Sequence, residues 1–181
     1  MNIGFTIGKF APLHKGHEYL IEKGIKEMDE FYVIVYETKV IDIPVEKRAN
    51  WIKKLYPKAK IIYAKNPPSQ YGMDEESVKI QTDYLKNIIK DVPVTHFYSS
   101  EPYGKFVARD LKIEDVQVDR LRQKYNISAT EIRNNIEKNK KYVEDIVYKE
   151  ILEWRQIWQM MILGTEKKLS FYQIFFDRKH Y

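Results

Sequence analysis

The feature that most constrains the fold is a stretch near the amino terminus, residues 7–17, with the sequence Ile-Gly-Lys-Phe-Ala-Pro-Leu-His-Lys-Gly-His. Residues 2–7 before it are apolar enough and short enough to form a buried strand. After it, Leu20, Ile21 and Ile25 recur at helical spacing. The stretch is therefore predicted to turn the chain from a strand into a helix.

The side chains of this turn favour an anion as its ligand. Gly8 and Gly16 let a ligand approach the backbone closely, because glycine has no side chain. The free N–H groups at the start of the next helix form a natural phosphate site. His14 and His17 stand at that helix start, and Lys9 lies on the strand side. The turn therefore predicts a phosphate site, and more specifically a nucleotide site.

The turn allows two other interpretations. It could be an ordinary strand-to-helix loop, or its two histidines could form a metal pair. Metal ligation on a helix usually takes histidines four residues apart, with further ligands nearby. Here the spacing is three, cysteine is absent, and the other histidines are His96 and His180. The phosphate site is favoured, and no metal site is predicted.

The rest of the chain alternates apolar runs with helical patterns. Residues 31–36 predict a second buried strand, and strand, helix and strand in that order indicate a parallel pair with a right-handed crossover. Further strands are predicted over 59–64, 95–98 and 116–118, and helices over 44–56, 75–90 and 105–111. The predicted fold class is α/β, a doubly wound parallel sheet. On the second helix, packing of Trp51 and a solvated charge at Arg48 are slightly preferred over a contact of either with substrate.

Two loops that follow predicted strands are candidates for reading a ligand, because doubly wound sheets bind ligands at that edge. Residues 66–72 are marked as a loop by prolines and a glycine, and Tyr71 could stack on a planar ring or cover the edge of the core. The second loop carries two hydroxyls, a carboxylate and an aromatic ring, in Ser99, Ser100, Glu101 and Tyr103. The same loop could also cap the next helix, and the two roles are compatible.

Near residue 128 a helix start carries more polar groups than capping requires. Ser128 and Glu131 have the spacing of a capping box. That does not account for Thr130 and Arg133 on the same opening turns. A hydroxyl and a guanidinium at a helix start bind phosphate oxygens well, so a functional role is favoured for this pair.

Composition limits the class of protein. With 181 residues, 44% hydrophobic and 31% charged, the chain is most simply one globular, soluble domain. The absence of cysteine excludes disulfides and thiolate catalysis and favours a cytoplasmic location. No signal peptide is predicted, and no apolar run approaches the roughly 20 residues that cross a bilayer. The net charge of +5 suits phosphorylated substrates; nucleic-acid binding is not predicted, because the basic residues are interspersed with acids.

In two motifs the chain resembles the nucleotidyltransferase superfamily that carries a His-x-Gly-His motif. The first is Gly8-Lys9-Phe10-x-Pro12-x-His14-x-Gly16-His17, and the second is residues 127–133, Ile-Ser-Ala-Thr-Glu-Ile-Arg. Within the superfamily it looks most like the nicotinamide mononucleotide (NMN) adenylyltransferases of the NadR type, on residues 99–104 and on Asp119-Arg120. The resemblance covers about residues 1–140 and implies a Rossmann-like nucleotidyltransferase fold.

The resemblance implies that ATP and NMN are joined to give NAD and pyrophosphate, with Mg²⁺ carried by ATP. The catalytic residues would be His14, His17, Lys9 and Arg133. ATP would be bound by Gly8, Phe10, Gly16, Ser128 and Thr130, and the substrate by Ser99, Ser100, Glu101, Tyr103, Asp119 and Tyr71. The loop of Tyr71 departs from the family's pattern, because it lacks the Trp expected to stack on nicotinamide.

Domain organisation and partners follow from the same resemblance. We expect a nucleotidyltransferase domain over residues 1–140 and a helical C-terminal extension over residues 141–181 packed on it, or on a second copy in a homo-oligomer. The DNA-binding and ribosylnicotinamide kinase parts that NadR-type proteins often add are not expected. Three alternatives stay open: another transferase of the superfamily (pantetheine-phosphate, FMN or cytidylyl type), an NMN- or NAD-sensing module without turnover, and, more weakly, an RNA-binding protein.

Overall fold

A five-stranded sheet forms the centre of the computed structural model, which describes residues 1–70 and 72–162. The strands are β1 (Ile3–Gly8), β2 (Glu30–Tyr36), β3 (Lys60–Ala64), β4 (His96–Ser99) and β5 (Glu114–Gln117). Their order across the sheet is β3-β2-β1-β4-β5, and every neighbouring pair is parallel. The chain thus builds outward from β1 to β3 and then crosses to the other side, which confirms the predicted doubly wound sheet. In such sheets ligands bind where the order reverses, here between β1 and β4.

Helices connect the strands and extend beyond the sheet. They are α1 (Lys15–Glu27), α2 (Val45–Leu55), α3 (Glu75–Ile88), α4 (Gly104–Leu111), α5 (Ala129–Asn134) and α6 (Asp145–Ile162), with a 3₁₀ turn at Lys140–Tyr142. The predicted capping box is confirmed, because the Ser128 hydroxyl accepts from the Glu131 N–H and the Glu131 carboxylate accepts from the Ser128 N–H. Of the described helices, none is long and apolar enough to cross a membrane.

The core explains why the central strands consist almost entirely of apolar residues. A parallel sheet covered by helices on both faces leaves its inner strands no exposed side. Phe5 of β1 and Ile34 of β2 are completely buried, and they pack with Phe97 of β4, Leu85 of α3 and Val107 of α4. The edge strand β5 is different: it is half-buried, and it starts two residues before the predicted run, on charged residues.

The chain divides into two compact units, Met1–Glu144 and a second that begins at Asp145. The first contains the whole sheet and α1 to α5. The described part of the second is α6, which falls in the region predicted to be helical. The predicted packing of this extension on the first unit stays a prediction.

The expectation of a solvated charge at Arg48 is wrong. Arg48 is 1% exposed, and its guanidinium donates to the carbonyl oxygens of Ile43 at 3.0 Å and Tyr36 at 2.9 Å, and to that of Lys9. Burial lowers the pKa of Arg48 to about 10, so it remains a cation near neutral pH. The reason is topological. Tyr36 ends β2, Ile43 precedes α2 and Lys9 follows β1, and the planar guanidinium has enough donors to reach all three carbonyls.

Candidate active site

A cleft of about 730 Å³ opens at the carboxyl ends of β1 and β4. Ten of the predicted site residues line it: Gly8, Lys9, Phe10, His17, Ser99, Ser100, Glu101, Tyr103, Thr130 and Arg133. They come from parts of the chain more than 120 residues apart. The topology therefore brings the two sequence motifs and the loop after β4 to one place.

Five predicted site residues are not among those that line the cleft. His14 and Gly16 lie directly beside it, since they belong to the turn that carries His17. Ser128 caps α5. Asp119 binds its own loop, because its carboxylate accepts from the backbone N–H groups of residues 124 and 125 at 3.0 and 3.1 Å. Tyr71 lies outside the described residues.

The two histidines of the turn form a stacked pair. Their ring centroids are 3.7 Å apart and their planes differ by 25°. His14 is the N-cap of α1, and its Nδ1 accepts from the Gly16 N–H at 3.2 Å. A neutral His14 that accepts at Nδ1 carries its proton on Nε2. It can therefore donate a hydrogen bond to a phosphate oxygen from that atom.

Both histidines are neutral at pH 7. Burial lowers the pKa of His14 to about 4, with a smaller contribution from the charge of Arg122. Burial also lowers the pKa of His17 well below its ordinary value, and His14 and Arg122 push it in the same direction. The Nδ1 atom of His17 is buried and has no hydrogen-bond partner among the described residues. The turn thus carries two uncharged imidazoles rather than two cations.

The glycines of the turn make room for its own side chains. A Cβ on Gly8 would lie 3.1 Å from the Phe10 ring, and one on Gly16 would lie 3.2 Å from the His14 ring. Phe10 itself has a φ of +46°, which a non-glycine residue adopts at a cost. Its ring and the His17 ring pack edge to face, with their centroids 4.9 Å apart. The turn thus fixes the orientation of His17 by close packing.

Arg133 joins the second motif to the first. Its Nη1 donates to the Ala11 carbonyl at 2.5 Å, and its Nη2 donates to the Thr130 hydroxyl at 2.9 Å. The contact between Arg133 and Ala11 is a direct bond between α5 and the histidine turn. It sets the guanidinium and the hydroxyl on the cleft wall.

The loop after β4 closes the cleft on its other side. Ser99 donates to the Glu101 carbonyl at 3.2 Å and accepts from Gln117 of β5 at the same distance. A Cβ on Gly104 would lie 2.2 Å from the Ser99 hydroxyl, so a larger residue here would displace the Ser99 side chain. The packed loop presents Glu101 and the half-buried Tyr103 ring to the cleft. Desolvation raises the pKa of the Tyr103 hydroxyl far above its usual range.

Sequence reasoning missed two arginines of this region. Arg48 holds the carbonyl of Lys9, so it positions the backbone of a cleft residue. Arg122 donates to the Glu101 carboxylate at 3.3 Å and lowers the pKa of both histidines. Helical spacing places Arg48 on the same face of α2 as Val45 and Ile52, but it does not show which groups the guanidinium meets.

Comparisons with known proteins show the family of the chain. The model of the cytidylyltransferase-like family matches residues 5–135, which is more than half of the chain. The trifunctional NAD biosynthesis/regulator protein NadR of Salmonella typhimurium is 32% identical over 152 residues, and its Escherichia coli counterpart is 30% identical over 151. Each alignment covers 74% of this chain but only 37% and 36% of the relative. The chain thus corresponds to little more than a third of these proteins.

Solved structures show the same fold. A NadR protein in complex with NAD and AMP-PNP superposes with a TM-score of 0.62 at 22% identity, covering 83% of this chain and 46% of that one. A bifunctional NMN adenylyltransferase/ADP ribose pyrophosphatase from Francisella tularensis, with AMP and a manganese ion, gives a TM-score of 0.64 at 16% identity, covering 97% and 56%. The chain belongs to the cytidylyltransferase-like family of nucleotidyltransferases, and it is similar to one part of the NadR proteins.

Proposed function

We propose that this chain is an adenylyltransferase that joins ATP and NMN to give NAD and pyrophosphate. The observation that carries the proposal is the convergence of Lys9, His17, Thr130 and Arg133 on one cleft that also has an extensive apolar wall. Two cations, a hydroxyl and a neutral imidazole suit a polyphosphate. The apolar part, which includes Val78, suits a flat base.

The reaction needs little acid–base chemistry from the protein. An oxygen of the NMN 5′-phosphate attacks the α-phosphorus of ATP, and the bond from that phosphorus to the bridging oxygen of the β-phosphate breaks. Pyrophosphate leaves with the electron pair. The attacking oxygen is already anionic near neutral pH, so no general base is required. The site has to bring two anions together and stabilise the charge of the transition state.

The proposed roles follow from position. His14 and His17 bind the ATP phosphates, with His17 nearest the α-phosphate because it lies on the cleft wall. Lys9 bridges the α-phosphate and the incoming phosphate. Arg133 and Thr130 bind the β- and γ-phosphates, and their mutual hydrogen bond fixes the spacing of the two donors.

Mg²⁺ would enter with the triphosphate. Glu101 is the one carboxylate among the described residues that line the cleft, and no cluster of three metal-ligating side chains occurs within residues 1–70 and 72–162. This set fits an ion held mainly by phosphate oxygens and water, which is the usual arrangement for Mg²⁺. When bound, the ion would neutralise charge on the triphosphate.

Pyrophosphate release tests the proposal. Purified protein with ATP and Mg²⁺ is offered NMN, nicotinic acid mononucleotide, phosphopantetheine and FMN in parallel reactions. Turnover with NMN that collapses in His17→Ala supports both the reaction and its site. Turnover with phosphopantetheine or FMN instead would assign another transferase of the family. Tight binding of NMN or NAD without turnover would leave a sensing module.

A further inference from the structure

Arg122 lies beside the cleft in a loop whose backbone is held by its own contacts. Asp119 and Arg122 both have left-handed backbone conformations, with φ of +49° and +50°, and the Arg122 N–H donates to the Asp119 carbonyl at 2.7 Å. The Asp119 carboxylate accepts from the N–H groups of Lys124 and Tyr125. Non-glycine residues adopt such angles when the surroundings impose them, and they often do so at functional sites.

The side chain of Arg122, in contrast, is held loosely. Its Nη2 donates to the Glu101 carboxylate at 3.3 Å, and its Nη1 donates to the Ile127 carbonyl at 3.4 Å. Both distances are at the long end for a hydrogen bond. The side chains of Arg122 and Glu101 are 43% and 51% exposed. An ion pair this exposed is weak and easily exchanged.

Arg122 balances the charge of the Glu101 carboxylate in the empty site. A phosphate carries more negative charge than a carboxylate, and a guanidinium can bind its oxygens in a bidentate manner.

We propose that Arg122 is a phosphate-binding residue that exchanges Glu101 for the β- and γ-phosphates of ATP when the nucleotide enters the cleft. The exchange leaves the Glu101 carboxylate available to accept hydrogen bonds from the hydroxyls of a sugar. Arg122 bonds Ile127, the residue before the Ser128 cap, so it lies on the side of the cleft where Thr130 and Arg133 are placed. The proposal rests on the proposed function, because ATP is its ligand.

Arg122 also acts on the histidine pair. Its charge contributes to the lowered pKa of both His14 and His17. A cation that influences both rings lies in their neighbourhood. This observation is independent of the contact with Glu101.

Binding measured by calorimetry with ATP and with AMP, each with Mg²⁺, tests the assignment. Arg122→Gln is compared with the control Lys124→Gln, which also removes one positive charge from this loop. The Lys124 ammonium lies over the Tyr19 ring. Loss of charge-assisted hydrogen bonds to phosphate should weaken ATP binding about tenfold to a hundredfold in Arg122→Gln. AMP binding should change by less than about threefold, and Lys124→Gln should change neither. Arg122→Lys keeps the charge and should recover part of the affinity.

The outcomes separate this proposal from the proposed function. Equal ATP affinity in Arg122→Gln and Lys124→Gln, or equal losses for ATP and AMP, would overturn the role of Arg122 whether or not the wild type turns over NMN. If Arg122→Gln selectively loses ATP binding but the wild type shows no turnover, Arg122 remains a phosphate ligand and the proposed transferase activity is wrong. Absence of ATP binding in the wild type would overturn both.

Discussion

His14 and His17 stack with their ring centroids 3.7 Å apart, and both are neutral at pH 7. Burial is the main cause, and two positive rings at this distance would repel each other. The pair therefore offers hydrogen-bond donors without a fixed charge. A bound triphosphate changes that balance, because its negative charge favours the protonated rings.

His17→Ala should lower kcat by about 10²–10³-fold, the usual cost of removing one group that stabilises charge in a transition state. The fold should survive, because the loss is confined to one ring beside Phe10. Initial rates of pyrophosphate release measure the effect. His96→Gln is the matched control: His96 faces Glu114 away from the cleft, and its replacement should leave kcat unchanged. Equal rates in wild type and His17→Ala would remove His17 from the mechanism.

ATP binding should take up protons near neutral pH. In the free protein the pKa of His14 is about 4, and a nearby triphosphate raises it. The complex then binds more protons than the free protein, so affinity should increase as the pH falls through the pKa of the complex. Calorimetry in two buffers with different ionisation enthalpies counts the protons.

The control for this pH effect is His14→Asn. Asparagine caps a helix well, so the variant keeps the hydrogen bond that His14 accepts from the Gly16 N–H and loses the titrating ring. Proton uptake should decrease in it. Uptake of the same size in both proteins would assign the protons to other groups, the ATP γ-phosphate included.

The sequence was sufficient for features that depend on neighbours in the chain. The strand-to-helix turn was predictable because an apolar run, glycines, a proline and helical spacing all lie within about twenty residues. The capping box at Ser128 was predictable because it needs only a serine and a glutamate three residues apart. The parallel direction of the strands followed from the alternation of strands and helices.

Features that depend on contacts between distant residues were not predictable in the same way. Whether Arg48 is solvated depends on three carbonyls from separate parts of the chain meeting at its guanidinium, and spacing on one helix does not show that. The pairing of Arg122 with Glu101 likewise joins two loops. The polar start of β5 was missed because an edge strand needs less apolar sequence than a central one.

Arg48→Ala should lower the free energy of unfolding by about 3 kcal/mol or more, because buried carbonyl oxygens lose charge-assisted hydrogen bonds and a cavity remains. Arg48→Lys should recover little, since one ammonium does not reproduce the planar fork. Denaturant unfolding measures both. Lys53 lies on the same helix as Arg48, and Lys53→Ala removes an exposed contact with the Tyr63 hydroxyl. This variant should lower the free energy of unfolding by less than about 0.5 kcal/mol. A similar small cost for Arg48→Ala would contradict the buried role.

Gly16→Ala should separate stability from activity. Gly16 lies in the first turn of α1, where alanine is favoured over glycine by up to about 1 kcal/mol. The new Cβ would lie 3.2 Å from the His14 ring, so the ring has to shift by a few tenths of an ångström, and the stacked His17 shifts with it. The free energy of unfolding should stay within about 1 kcal/mol of wild type, whereas kcat/KM falls about tenfold or more, because small displacements of catalytic groups are costly. Denaturant unfolding curves and initial rates of pyrophosphate release, measured on the same preparation, separate the effect on stability from the effect on activity. Unchanged kcat/KM would show that the histidine pair tolerates displacement, and a large loss of stability would show that Gly16 is needed for folding instead.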